Sequence, residues 1–187
     1  MFNKKITYLI IFTGIVILAG MFFYSNSYRP YRFTDIVIKD EFYGEYEAET
    51  AFPENYTEKC NFENRNNITF PRTKPDKVFL HSNGLKRHKK ELNQKQINKL
   101  FTILNDSTNY GWGELGTPEV HYYFTFLNVE NKIIGVTEVD LAGMAYSEPY
   151  IAKMKWGRLD KMEKLHKLIY DIEDNPFLFL KWNIEHN

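Results

Sequence analysis

One run of residues constrains this chain more than any other. The 19 positions that open on Ile6 and close on Tyr24 carry no charge, with Lys4 and Lys5 in front and Arg29 behind. At about 1.5 Å rise per residue, a helix over this run covers roughly 28 Å, the thickness of a bilayer's hydrocarbon core. A cleaved secretory signal has a shorter apolar core, about 7–15 residues, followed by small residues. Here the core ends instead in Met21, Phe22, Phe23 and Tyr24, and those aromatics suit an interfacial belt. Cleavage after Ser27, with Ser25 and Ser27 as the small pair, is the alternative, and it would give a secreted protein. A lipidated anchor needs a cysteine directly after the apolar run, and the single cysteine is Cys60. The expectation is a transmembrane helix over 6–24 whose partner is the lipid bilayer.

The short basic tail, residues 1–5, is expected in the cytoplasm, with 25–32 as a spacer and 33–187 as one soluble extracytoplasmic domain. Within that domain, 33–70 reads as a loosely packed N-terminal part. With Lys4 and Lys5 set aside from the 24 basic residues, 22 remain against 24 acidic ones, a formal net charge of −2. Nothing there asks for nucleic acid, whose phosphates call for an excess of Lys and Arg. One cysteine also excludes an internal disulfide.

Hydrophobic periodicity supplies the elements. Residues 33–39 and 77–81 read as strands. Glu45, Glu47 and Glu49 alternate along 42–50 as a solvated edge face, 51–67 reads as an irregular connection, and the basic cluster 86–90 as a solvated loop. A helix is expected over Gln94–Asn105, with Asn93 as its cap, Gln96 answering back, and Ile97, Leu100, Phe101 and Leu104 on one stripe. Residues 121–127 and 132–140 form a hairpin around the turn at Asn128. A third strand from Met144 completes an antiparallel meander, and Pro149 marks its end. A last helix is expected over 160–173, capped by Asp160, with His166 off its apolar stripe. The aromatic run 177–182 is too short to cross a membrane and reads as a further strand, a docked tail or an exposed contact, with burial the default. The fold class is therefore α+β: one antiparallel sheet, the two amphipathic helices on one face, the other face partly open.

Two groups of residues carry the functional expectations. Gly111, Gly113 and Gly116 spell G-x-G-x-x-G, but a helix precedes and a strand follows, the reverse of a dinucleotide site, so no nucleotide is expected. The same loop presents Tyr110, Trp112 and Glu114, the residues chosen here for a binding surface toward a protein partner. Glu119 and His121, with Glu138 and Asp140 across the hairpin, form the second group. They are the only catalytic candidates, and they lack a nucleophile or third ligand. No metal or cofactor is expected. The sequence thus reads as a membrane-anchored recognition or accessory module, with inhibitor and immunity-type proteins as examples of the kind. The rival reading is a hydrolase or metal-dependent enzyme using the carboxylates and His121.

Overall fold

The computed structural model describes residues 4–26, 29–31, 36, 55–83, 87–113, 119–174, 176, 177, 180, 181 and 184. It is an α+β protein with four helices and a five-stranded antiparallel sheet among the described residues. Helix α1 spans Lys4–Asn26, and none of its apolar window Lys4–Met21 is buried against the rest of the chain. It is long and apolar enough to cross a membrane or to act as a signal sequence.

The sheet contains β1 (Lys77–Ser82), β2 (Lys89–Glu91), β3 (Tyr122–Leu127), β4 (Ile133–Asp140) and β5 (Met144–Glu148), in the order β2-β1-β3-β4-β5. The meander β3-β4-β5 is as expected, and β5 stops before Pro149, which cannot donate to a ladder. The β3–β4 turn closes through Asn128, whose carbonyl accepts from Asn131 and whose amide donates to Lys132, while Asn131 takes φ 58°. Between Phe126 and Leu127 the register slips by one residue. That bulge lets both Ile134 and Val136 reach buried positions on opposite faces.

Helix α3 (Gln94–Asn105) carries the capping box that its sequence announces. The Asn93 carboxamide accepts from the Gln96 amide at 3.0 Å, and Gln96 accepts from the Asn93 amide at 2.9 Å. Its buried stripe, Ile97, Leu100, Ile103 and Leu104, meets Leu165, Leu168 and Ile169 of α4 (Met162–Ile172) over the Tyr122, Phe124 and Phe126 face of β3. Phe101, expected on that stripe, is only half-buried and stacks on Phe126 with ring centroids 6.0 Å apart.

Four readings of the sequence need correction. Residues 51–67 are not all irregular: Tyr56–Arg65 forms helix α2. Its polar sequence hides it, because its key buried residue is an acid. Glu63 is fully buried and accepts the Ala152 amide at 2.5 Å and the Lys153 amide at 3.3 Å, capping the 3-10 turn Ala152–Met154. The basic cluster is not only a loop, since Lys89 and Lys90 enter edge strand β2, held by cross-strand pairing to His81 and Leu80. Asp160 does not cap α4; Lys161 takes the cap position without a side-chain bond, and Asp160 lies 3.5 Å from Arg158. His166 is buried, not on the surface, because its Nε2 finds the carbonyl of Leu141 at 3.1 Å.

The second sheet face is more covered than its alternating sequence suggests. Tyr123 and Val136 pack under Tyr31, with Ile36, Val120 and Ile133 at the margin. Ile36 makes an isolated parallel bridge to Ile133, the described remnant of the strand expected at 33–39. The acidic alternation at 42–50 lies outside the described residues. At the other end of the chain, Leu180 is fully buried in the main core, and Lys181 donates its amide to Phe177 at 3.0 Å, a helical turn rather than a strand.

Candidate functional site

The Gly-Trp-Gly loop is the first candidate. Tyr110 is a core residue, 2% exposed, its hydroxyl donating to the Leu104 carbonyl at 3.1 Å. Burial drives its phenol far above the ordinary tyrosine range. Trp112 is half-buried, its ring edge-on between Tyr56 at 5.3 Å and Trp156 at 5.1 Å. The Lys155 ammonium approaches the Tyr56 and Trp112 rings at 5.8 and 6.0 Å and donates to the Tyr110 carbonyl. Burial and a hydrogen bond to Cys60 push the Tyr56 phenol up to about 12. Glu114 and Gly116 lie outside the described residues.

The glycines of this loop serve packing. The Gly111 amide donates to the Arg158 carbonyl at 3.1 Å, and a Cβ there would overlap the Asp160 carboxylate. A Cβ at Gly113 would overlap the Arg158 guanidinium, which donates to the Trp112 carbonyl at 3.3 Å. What a Cβ would meet at both glycines is the end of an exposed side chain, and the loop is held against 158–160 by the Gly111–Arg158 backbone bond.

The second candidate group lies on the Tyr31 side of the sheet and divides in two. His121 Nδ1 stands 3.7 Å from Asp140 Oδ1, and the Glu119 backbone amide donates to Asp140 Oδ2 at 3.0 Å. Asp140 Oδ1 also accepts from the Ala142 amide at 2.8 Å, so much of this carboxylate's bonding capacity goes to holding the β4–β5 turn. Glu138 faces elsewhere: it accepts the Tyr31 hydroxyl at 2.6 Å and lies 3.7 Å from Arg29 Nε. Among the described residues no three His, Cys, Asp or Glu side chains come close enough together to hold a metal ion.

The structure also assembles a polar chain that sequence reasoning missed. Ser82, at the end of β1, lies 2.9 Å from His88 Nδ1, and His88 Nε2 contacts Glu173 Oε2 just past α4. Lys90 and Asp174 pair beside it. Burial raises the Glu173 carboxyl above the usual range, with His88 pulling the other way, and its second oxygen has no hydrogen-bond partner among the described residues. A hydroxyl, an imidazole and a carboxylate in line are the parts of a nucleophile–base–orienter relay. Ser82, however, is 3% exposed and also accepts the His88 amide at 3.1 Å, so the chain is built first as a tie between the β1–β2 connection and the end of α4. Ser82 and His88 face each other across a turn, a pairing that a hairpin signal would have exposed. Glu173 stands 85 residues from His88, and no local pattern links the two.

Compared with protein-family models, with curated proteins and with solved structures, the chain matches none of them.

Proposed function

We propose that this chain is a single-pass membrane protein whose α+β domain, on the extracytoplasmic side, serves as a recognition or accessory module without a cofactor. The observation that carries this reading is the exposed apolar surface of α1, where Leu9, Ile10, Phe12 and Leu18 are each 62–68% exposed. Each such side chain left in water forgoes about 1.5–3 kcal/mol. Transfer of that surface out of water is favourable, and a bilayer's hydrocarbon core supplies the apolar medium. The basic tail with Lys4 and Lys5 favours a cytoplasmic N-terminus. The semi-exposed aromatic group Tyr56, Trp112 and Trp156 is the surface best suited to a protein partner, since aromatics with one wet edge dominate such contacts.

The test is affinity capture of the C-terminally tagged full chain from gently solubilised membranes, with the mass of the N-terminus read in the same sample. An intact N-terminus and a protein that co-purifies with the native chain but not with Trp112→Ala support the proposal. A trimmed, soluble product would place the protein among secreted ones and remove the anchor.

A hydrolytic second reading is favoured by one arrangement, Ser82–His88–Glu173. Labelling of Ser82 by a fluorophosphonate, abolished in His88→Ala, would support it.

A further inference from the structure

The aromatic group around Trp112 sits among cations that the fold does not pair off. Two segments build this surface, 107–113 and 155–164, and backbone bonds join them: the Asn109 carbonyl accepts the Asp160 amide at 2.9 Å, and the Gly111 amide donates to the Arg158 carbonyl at 3.1 Å. Three lysines stand on it, each steered by a neutral acceptor. The Lys155 ammonium donates to the Tyr110 carbonyl beside the Tyr56 and Trp112 rings, Lys161 donates to Thr108 Oγ1 at 3.2 Å, and Lys164 donates to Asn109 Oδ1 at 3.0 Å. None of the three forms an ion pair among the described residues. Nearby acids have other partners: Asp106 accepts from the Thr108 amide and hydroxyl at 2.9 and 2.7 Å, and Asp160 lies 3.5 Å from Arg158. From Lys153 to Lys164 the chain carries five cations against Asp160 and Glu163, so the surface is basic although the whole chain is neutral.

Lys155 holds its place at a backbone cost. With φ 50° and ψ −124° it takes the first central position of a type II′ turn, closed by the Gly157 amide on the Met154 carbonyl at 2.8 Å, where glycine, asparagine or aspartate is the usual residue. A glycine would make this turn without strain, so what the lysine adds is its ammonium, 5.8 and 6.0 Å from the Tyr56 and Trp112 rings. Cations around half-buried tryptophans complement a chain that carries carboxylates beside an apolar side chain. Taking the Trp112 surface as the recognition surface, on which this inference rests, we propose that the partner's docking segment is an acidic peptide. Its carboxylates lie at Lys155, Lys161 and Lys164, and an apolar side chain covers Trp112 and Trp156. A peptide is favoured over an anionic bilayer by the side of the sheet involved: Tyr110 and Leu159 root this surface in the core under α3 and α4, whereas Tyr31, five residues beyond α1, packs on the opposite face with Tyr123 and Val136.

The experiment uses the full chain in a non-ionic maltoside detergent, titrated with a short peptide of glutamates around a leucine, with its glutamine counterpart, and with phosphatidylglycerol doped into the micelles. Backbone amide shifts give the affinity and the location. The glutamate peptide is expected to saturate with a dissociation constant on the order of 0.1 mM, to weaken with added salt, and to shift 107–113 and 155–164. Lys155→Gly relieves the turn, so it is expected to hold or raise the urea midpoint while weakening the peptide roughly tenfold. Lys161→Gln combined with Lys164→Gln leaves the turn and the rings in place and is expected to weaken it to a similar degree. Equal binding of the glutamine peptide, an unchanged affinity in both variants, shifts confined to other parts of the domain, or a response of these residues to phosphatidylglycerol without one to the peptide would each overturn the proposal. So would a captured partner that is lost in Trp112→Ala but kept in Lys155→Gly at any salt concentration; that result would leave the Trp112 surface standing as a recognition surface and remove only its acidic ligand.

Discussion

The Tyr31 hydroxyl donates to the Glu138 carboxylate at 2.6 Å, joining the stretch just beyond α1 to the middle of β4. Tyr31 lies five residues beyond Asn26, the last residue of α1. At about 3.5 Å per residue that leaves at most roughly 17 Å of chain between the helix end and the sheet. The stretch that reads in sequence as a spacer is therefore anchored at its far end: Tyr31 is 6% exposed and stacks edge-on over Tyr123 at 6.0 Å. The described domain therefore begins within a few residues of the end of α1. Burial and the Glu138 charge both drive the Tyr31 phenol far above the ordinary tyrosine range, so the hydroxyl stays a donor throughout physiological pH.

Removing that donor tests the tie. Tyr31→Phe keeps the packing and deletes one hydrogen bond to a charged acceptor, so a loss of about 1–2 kcal/mol is expected in denaturant unfolding of the full chain. Glu138→Gln should cost a similar amount, and the double variant less than the sum, because the two residues share one interaction. Strict additivity would mean that the bond contributes nothing.

Trp112 separates packing from recognition. Its two edge-on contacts, with Tyr56 and Trp156, are each worth about 0.5–1.5 kcal/mol beyond burial. Trp112→Ala is expected to lower the unfolding free energy by about 1–3 kcal/mol while the cooperative transition survives. Loss of the transition altogether would make the residue a core member and not a surface one.

Gly157 and Gly111 should respond differently to a methyl group. Gly157 has φ +82°, and an added Cβ would lie 3.1 Å from the Ala145 carbonyl oxygen, a backbone atom whose strand cannot yield. Gly157→Ala is expected to cost about 1–3 kcal/mol. At Gly111 the obstruction is the exposed Asp160 side chain, which can swing away, so Gly111→Ala should cost less. Urea midpoints of the two variants check the order.

His81 should give the fold an acid-sensitive limb. Burial, reinforced by the Lys89 charge, depresses its pKa from 6.5 to about 4, and its Nε2 lies 2.9 Å from Thr125 Oγ1. A group with a depressed folded-state pKa protonates first in the unfolded chain. Its contribution is therefore complete above pH 6.5 and is lost as pH falls toward about 4. At about 1.4 kcal/mol per unit the total loss is roughly 3 kcal/mol. Burial lowers the His166 pKa as well, with the same sign. His81→Gln should flatten stability against pH across this window, and an unchanged slope would count against the buried neutral imidazole.

The parts of the fold legible in sequence are those decided locally. The Asn93–Gln96 capping box and the meander around Asn128 need only neighbours a few residues away, and both form where expected; the α3 stripe does so at Ile97, Leu100 and Leu104, with Ile103 buried where Phe101 was expected. What was hidden depends on distant partners. Helix α2 is polar and is held by Glu63 meeting a turn 89 residues later; His166 is buried because the Leu141 carbonyl waits for it, 25 residues back. Strand β2 is a run of charges that becomes a strand only by pairing with β1. The candidate sites divide likewise: His121 and Asp140 lie 3.7 Å apart at the hairpin end, Glu138 turns to Tyr31 and Arg29, and Glu173 meets His88 from 85 residues away with no local pattern to mark it.

The most direct test of the central claim is the side of the membrane on which the domain lies. Val129, 81% exposed in the β3–β4 turn, is a suitable reporter position once the single native thiol is removed by Cys60→Ser. Intact cells producing the full chain with Val129→Cys are treated with a membrane-impermeant maleimide, and the membrane pellet is analysed by mass. Labelling of an N-terminally intact chain without permeabilisation is the expected result. Labelling that requires permeabilisation, or a trimmed product found only in the medium, would contradict an anchored extracytoplasmic domain.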